Sequence, residues 1–288
     1  MKPQRVPVAN GRTTRTTRLS ILTAFAYPLV LSNPAPAEAQ LFVGSTGDDS
    51  NACNTPASPC ATIQGAINKV PGGSLGVDIH VAHGSYPAPI NIYYHRAMRI
   101  VGNCSDIAAV EIKTSGVAIW VQDHAIGIVQ CLTISATGPG ATGIAGRQYS
   151  IIDIDRIRFG AFPNGQNIAL SEDSKLSCLP GPSVEPVILT GSGSATFAVA
   201  SGGSKLYLNC PISFEGDDPQ TFTYFTQCVE LSICNYTGLA WRGPDIIGKQ
   251  FNCDNSDLTK PSGQPPLGYS KSIPGDGFDD LKSRCRLR

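Results

Sequence analysis

Residues 77–102 read VDIHVAHGSYPAPINIYYHRAMRIVG, and they hold three short alternating apolar runs: Val77/Ile79/Val81, Ile90/Ile92 and Met98/Ile100. Gly84, Pro87, Pro89 and a polar turn separate the runs, so three strands fit the stretch and no helix does. None of the runs is long enough to bury adequate surface alone. Further units of the same kind, stacked on top, would protect them, which makes this stretch the first rung of a coil.

The chain beyond it repeats. Strand ends of similar character fall at Val101, Ile134, Phe159, Ile188, Phe214 and Tyr236, 22 to 33 residues apart, as solenoid repeats do. This spacing predicts about six rungs. Ile152/Ile154 and Ile157/Phe159 should point inward, Asp153 and Arg158 outward, with Asp155-Arg156 turning the corner. Leu206/Leu208 and Ile212/Phe214 repeat that pattern two rungs later, around Asn209 and Cys210. A β-sandwich also has many short strands, but no hairpin dipeptide sits between two alternating runs here. An amphipathic segment also precedes the rungs: in residues 61–70, Ile63, Ala66, Ile67 and Val70 fall at helical spacing, and Pro71-Gly72-Gly73 ends it. Such a helix would close the open core and unpaired edge of the first rung.

Composition agrees with an all-β chain. Thirty Gly and 22 Pro punctuate a sequence that is 41% hydrophobic and 15% charged, enough for a sizeable core and too broken for long helices. At the N-terminus, Lys2, Arg5, Arg12, Arg15 and Arg18 precede an apolar run over residues 19–31 and the small-x-small triplet Ala37-Glu38-Ala39. This is the pattern of an export signal, with cleavage after Ala39. As a membrane anchor the run falls short of the roughly 20 residues a span needs, and Pro28 interrupts it. Removing residues 1–39 takes away five basic side chains and one acid, leaving 17 against 21, a net charge of −4. That balance offers no electrostatic footprint for nucleic acid.

All ten cysteines lie downstream of the signal and fit an oxidising compartment. Cys53 and Cys60 bracket a short loop and are the expected disulfide, while Cys104, Cys131, Cys178, Cys210, Cys228, Cys234, Cys253 and Cys285 allow many pairings. No Cys-x-x-Cys occurs, so zinc is not expected. The domain reading is a signal over 1–39, a strand, disulfide loop and capping helix over 40–75, the coil over 76–240, and an irregular tail over 241–288, where Pro and Gly break the rhythm.

Thr62-Ile63-Gln64 with Ala66-Ile67, then His83-Gly84-Ser85-Tyr86 before Ile90-Asn91-Ile92, then Met98-Arg99-Ile100-Val101-Gly102 carry a resemblance. The chain resembles exported right-handed single-stranded parallel β-helix proteins of the pectin-lyase-like superfamily. The likeness is clear over residues 42–102 and continues as rung periodicity to about Tyr236. It implies the parallel β-helix fold, a long shallow groove on stacked rungs, and an extended polymer, foremost a polysaccharide, as partner. It does not imply a reaction, because members include lyases, glycoside hydrolases, esterases, spikes and proteins of no known activity.

The motifs of the catalytic branches are incomplete. Gly84-Ser85-Tyr86 matches the start of the esterase Gly-x-Tyr-x-Glu segment, but Ala88 stands where its Glu would be; Gln122-Asp123 is followed by His124-Ala125 and not Thr-Leu. Asp155-Arg156-Ile157-Arg158-Phe159-Gly160 is a poor echo of Asp-Phe-Ile-Phe-Gly, and Gly191-Ser192-Gly193-Ser194 is a turn without the strand and helix of a nucleophile elbow. All four histidines, His80, His83, His95 and His124, fall in the first two rungs, yet His80 and His83 have opposite parity and cannot share a metal. One constellation remains. Aligning Ile119 with Ile144 and Ile168 brings Gln122-Asp123 beside Arg147-Gln148 and Ser171-Glu172-Asp173, a polar ridge of Asp123, Arg147, Glu172 and Asp173. On this alignment Asp123 and Glu172 stand about 10 Å apart with Arg147 between them. Such a ridge suits binding of a glycan in a surface or adhesin-like role, or else lysis or hydrolysis of a uronate-containing one. Arg147 would pair a uronate carboxylate, and any calcium a lyase needed would go to Asp123, Glu172 or Asp173.

Overall fold

The computed structural model describes residues 39–178, 186–191, 193–215, 220–237, 239–243, 246–259, 280–281 and 285–287. The expected export signal up to residue 38 and most of the Pro-rich final segment lie outside them. Each turn of the chain lays one strand on each of three faces, and every pairing between named strands is parallel. The first face runs from Ala39–Val43 through Val77–Val81, Ala97–Val101 and the first halves of Ile126–Ala136 and Ile151–Phe159. It continues through Lys175–Cys178, Lys205–Tyr207, Ile233–Asn235 and Asp257–Thr259 to Arg286–Leu287. The second face carries Gly84–Pro87, Val110–Thr114, the second halves of the two long strands, Val187–Leu189, Pro211–Phe214 and Ala240–Arg242. The third holds eight strands, from Ile90–Ile92 and Val117–Val121 through Thr142–Gly146, Gln166–Leu170 and Thr196–Ala200 to Gln220–Val229, Ile246–Asp254 and Asp280–Leu281. This is an all-β parallel β-helix of about seven turns with almost no helix.

Like residues stack in the core because each turn repeats the inward positions of the one before. On the third face Ile90, Ile119, Ile144 and Ile168 are in register, all fully buried. On the first face Ile152 lies beside Leu176 and Leu206, and on the second Ile112, Ile134, Phe159, Leu189 and Phe214 form one column. Farther along the coil Phe197 stacks on Phe225 at 5.1 Å, so rings fill the core where aliphatic ladders end.

The N-terminal end is closed as the sequence predicts, by a helix of six residues, Ile63–Asn68, shorter than the ten-residue segment. Thr62 caps it by accepting from the Gly65 N–H, and Asp49 in turn accepts from the Thr62 hydroxyl and amide. The apolar side, Ile63, Ala66 and Ile67, covers the core. The Gln64 side chain accepts from the Asn91 N–H at 2.7 Å, capping a free donor of the first third-face strand. Cys53 and Cys60 form the expected disulfide; the remaining pairs are Cys104–Cys131, Cys178–Cys210, Cys228–Cys234 and Cys253–Cys285. Five disulfides fit an oxidising environment.

Several expectations need correction. The opening stretch forms four strands and not three, because Gly84–Pro87 pairs with Val110–Thr114 and buries Tyr86, whose hydroxyl donates to the Ala82 carbonyl. Of the strand ends used to count rungs, Val101 belongs to the first face and the second-face position is Leu189, not Ile188. The coil also runs past Trp241, where the irregular tail was expected: Ile246–Asp254 pairs with Gln220–Val229, and Asp257–Thr259 with Ile233–Asn235. Gly243 and Pro244 hide this continuation by breaking the apolar rhythm between consecutive strands.

Candidate functional site

The corner between the third and first faces is turned by two consecutive residues with positive φ. The pairs are Tyr94-His95, Asp123-His124, Gln148-Tyr149, Glu172-Asp173, Gly202-Gly203 and Glu230-Leu231, with φ between +54° and +78°. Left-handed backbone costs an L-residue about 1–2 kcal/mol, so a corner that repeats it must be repaid locally. The repayment is a hydrogen-bonded column: the His95, His124 and Tyr149 N–H groups donate to the Asp123, Gln148 and Glu172 carbonyls at 3.2, 2.9 and 2.9 Å. Asp173 and Gly203 continue it to Gly202 and Glu230. After five of the six pairs a small side chain turns inward: Ala125, Ser150, Ser174, Ser204 and Ser232 are all buried. Arg96 holds that place in an earlier turn, buried under Tyr93 at 5.1 Å, with Nε and Nη1 lacking a hydrogen-bond partner.

Because both residues of each pair face outward, the corner projects two parallel rows of side chains at the strand spacing of about 4.8 Å. One row reads Tyr94, Asp123, Gln148, Glu172; the other His95, His124, Tyr149, Asp173. The imidazoles of His95 and His124 stack at 5.0 Å, and His124 stacks on the Tyr149 ring at 5.2 Å. Each ring covers its neighbour's face, so the ladder offers ring edges, with their nitrogens and hydroxyl, to solvent. Tyr94 and Tyr149 are each 59% exposed.

The four ridge residues of the sequence reading thus lie along one corner, in adjacent rows. The alignment of Ile119, Ile144 and Ile168 is present, so Gln122-Asp123, Arg147-Gln148 and Ser171-Glu172-Asp173 are neighbours on successive turns. Arg147 is not between Asp123 and Glu172, however; Gln148 occupies that place, since Arg147 precedes the left-handed pair. Its guanidinium lies over the Trp120 ring at 4.8 Å, and its Nε donates to the Gln122 side chain at 2.7 Å. No described residue engages its terminal nitrogens. Past Trp120 the outward column continues with Ala145 and Ala169, a low floor beside the ridge. Asp123 is half-buried; Glu172 and Asp173 are exposed. His80 stacks on Phe42 far from this ladder, and no three or more His, Cys, Asp or Glu side chains converge among the described residues.

Trp120 and Tyr149 escaped the sequence reading, and His95 and His124, considered there only as metal ligands, were not aligned as a ring ladder. A legible signal was present in Gln148-Tyr149-Ser150, Glu172-Asp173-Ser174, Gly202-Gly203-Ser204 and Glu230-Leu231-Ser232, two outward corner residues before a buried Ser in each turn.

A second cluster sits on the outward side of the first face. Asp153 is half-buried, and burial raises its carboxyl above the ordinary carboxylate value, an effect that Lys175 and Ser177 only partly offset. Two residues on, the buried Asp155 lies beside Gln130 and 3.4 Å from the Arg156 Nε.

No family model matches the chain, and no curated protein matches it. Among solved structures it is similar to Escherichia coli YbhC, with a TM-score of 0.48 and 12% identity over 85% of this chain and 76% of that one. No described helix is long and apolar enough to cross a membrane.

Proposed function

We propose that this is an exported β-helix that binds an extended anionic polysaccharide along the corner between its third and first faces, in a surface or adhesin-like role. The observation that carries the reading is Arg147. Trp120 and Gln122 fix its plane while its terminal nitrogens stay uncommitted, which is the arrangement a guanidinium needs to take a carboxylate in two parallel hydrogen bonds. The ring edges of His95, His124 and Tyr149 and the carboxylates of Asp123, Glu172 and Asp173 supply further hydroxyl partners at a repeat set by the turns. Ala145 and Ala169 let a chain lie close. The superfamily resemblance supports the polymer class, and the disulfides support export. Asp123, Glu172 and Asp173 do not converge, so they do not fit a calcium site and no step is assigned to that ion.

The test is binding of the mature protein to polygalacturonate, alginate and neutral dextran by calorimetry. Saturable binding to the uronate polymers is expected, with Arg147→Gln weakening it about 10- to 100-fold, the range of a charge-assisted pair. Arg147→Lys should lose nearly as much, because it keeps the charge and loses the fork. Equal affinity for dextran, or an unchanged Arg147→Gln variant, would overturn the reading.

Asp153 and Asp155 favour a second reading, hydrolysis of such a polymer at the first face. A carboxyl whose affinity for its proton burial raises could serve as the acid, with a buried neighbour beside Arg156 as the base. Reducing ends released by the wild type and lost in Asp153→Asn, with binding intact, would establish it.

A further inference from the structure

We infer that the mature chain begins with a pyroglutamate formed from Gln40. The inference rests on the export reading, and its site is the start of the first strand. Cleavage after Ala39 makes Gln40 the terminal residue, and Ala39–Val43 pairs along its length with Val77–Val81. A terminus at Gln40 therefore removes one register partner, Ala39 opposite Val77, and keeps the four from Gln40 opposite Asp78 to Val43 opposite Val81. The fold meets the cleavage point with no spare residue between the new amine and the glutamine side chain.

The surroundings leave that side chain free to react. Gln40 is exposed, and its amide hydrogen-bonds to no described residue. Its outward neighbour Asp78 is committed to Arg99, whose Nε and Nη2 both donate to the carboxylate, so it does not hold the new ammonium in an ion pair of its own. An α-amino group titrates near pH 8, so a fraction is the free nucleophile at neutral pH. In the step, the α-nitrogen attacks the side-chain carbonyl carbon Cδ. A C–N bond forms, the Cδ–Nε2 bond breaks, and the nitrogen's proton leaves with Nε2 as ammonia. Nothing is oxidised or reduced, and no co-reactant is consumed. The lactam keeps one N–H on the α-nitrogen and leaves the backbone carbonyl untouched, so the ladder to Val77–Val81 survives. As the terminal residue it has no φ for the ring to restrict, so closure constrains only the side chain and the α-nitrogen. The product has no terminal positive charge beside the Asp78–Arg99 pair and no free amine for an aminopeptidase.

The experiment is mass spectrometry of the N-terminal tryptic peptide from protein exported by its native host or a secreting bacterium. The expected peptide runs from residue 40 to Lys69 and is lighter by one ammonia than the glutamine form. It takes label at the Lys69 side chain but not at an α-amine, and gains an α-amine label at Leu41 after pyroglutamyl aminopeptidase removes the ring. The Gln40→Ala variant should start at the same position and label fully at its α-amine. A wild-type peptide that starts at Gln40 and still labels at its α-amine after prolonged incubation at neutral pH would overturn the cyclisation while keeping the export reading. A first residue other than Gln40 would overturn the cleavage site after Ala39 and the cyclisation with it.

Discussion

Replacing Gln148 by glycine should stabilise the protein, although it deletes a side chain. Gln148 is the first residue of a corner pair, at φ +57°, and its side chain hydrogen-bonds to no described residue. Left-handed backbone costs an L-residue about 1–2 kcal/mol, while glycine returns about 0.5–1 kcal/mol of that as extra unfolded-state entropy. The balance is a gain of about 0.5–1 kcal/mol, or an increase of about 1–4 °C in Tm for a domain of this size. Gln148→Val should move the other way by about 1 kcal/mol or more, because a β-branched residue is a true outlier at positive φ. The wild-type chain already uses this solution two turns later, where Gly202-Gly203 holds the same corner. Urea unfolding of the disulfide-intact protein, followed by far-ultraviolet circular dichroism, compares the three midpoints at constant slope. A Gln148→Gly midpoint at or below that of Gln148→Val would refute the reasoning. The corner would then be held by side-chain contacts and not by backbone conformation.

Ile144→Ala should cost about 2–5 kcal/mol, since Ile144 is fully buried between Ile119 and Ile168; a loss under 1 kcal/mol in the same unfolding assay would contradict the stacked core. Asp153→Asn follows from linkage. Burial raises this carboxyl above its ordinary 3.8, so the folded state loses stability as pH climbs from 3.8 through the raised value. The variant should therefore melt above wild type at pH 7, with the advantage fading as pH falls toward 3.8; an advantage that grew on acidification would have the wrong sign. Removing the Cys104–Cys131 bridge as a double alanine variant should cost about 3.5 kcal/mol for its separation of 27 residues. Unchanged unfolding would show that the loop after Val101 is held without it.

The fold was legible because a parallel coil writes its core into the sequence. Val77/Ile79/Val81 and Ile90/Ile92 alternate since one side of each strand faces the core, and Ile119, Ile144 and Ile168 recur since each turn must offer like shapes to the next. What failed to show has equally local causes. Gly84–Pro87 carries one inward anchor, Tyr86, between a glycine and a proline, so its composition is that of a turn. Past Trp241 the strand Ile246–Asp254 keeps inward Phe251 and Cys253, but Gly243 and Pro244 separate it from its predecessor. Cys228–Cys234 is as local as Cys53–Cys60, six residues apart, but Cys104–Cys131, Cys178–Cys210 and Cys253–Cys285 join residues brought near by the winding. Cys178–Cys210 and Cys253–Cys285 each span 32 residues, about one turn, which becomes meaningful only once the turn length is known.

The ridge was half legible for a reason that also bears on function. Aligning isoleucines gave the correct turns for Asp123, Arg147 and Glu172, because register propagates from the core. It misplaced Arg147 by one row, since apolar periodicity says nothing about where the backbone turns left-handed. The corner needs two such residues per turn, and there they project outward whatever their type. Side chains at these positions are therefore nearly free of packing demands, as Gly202-Gly203 and Glu230-Leu231 illustrate. Three consecutive turns nonetheless place an aromatic ring in the second position, His95, His124 and Tyr149, and the turn before the last of them holds Trp120 under Arg147. Core packing does not demand rings at an outward corner, and exposed ring stacks contribute only about 0.5–1.5 kcal/mol per pair. Core packing thus does not account for the ladder, and the proposed binding along this corner gives its rings a use.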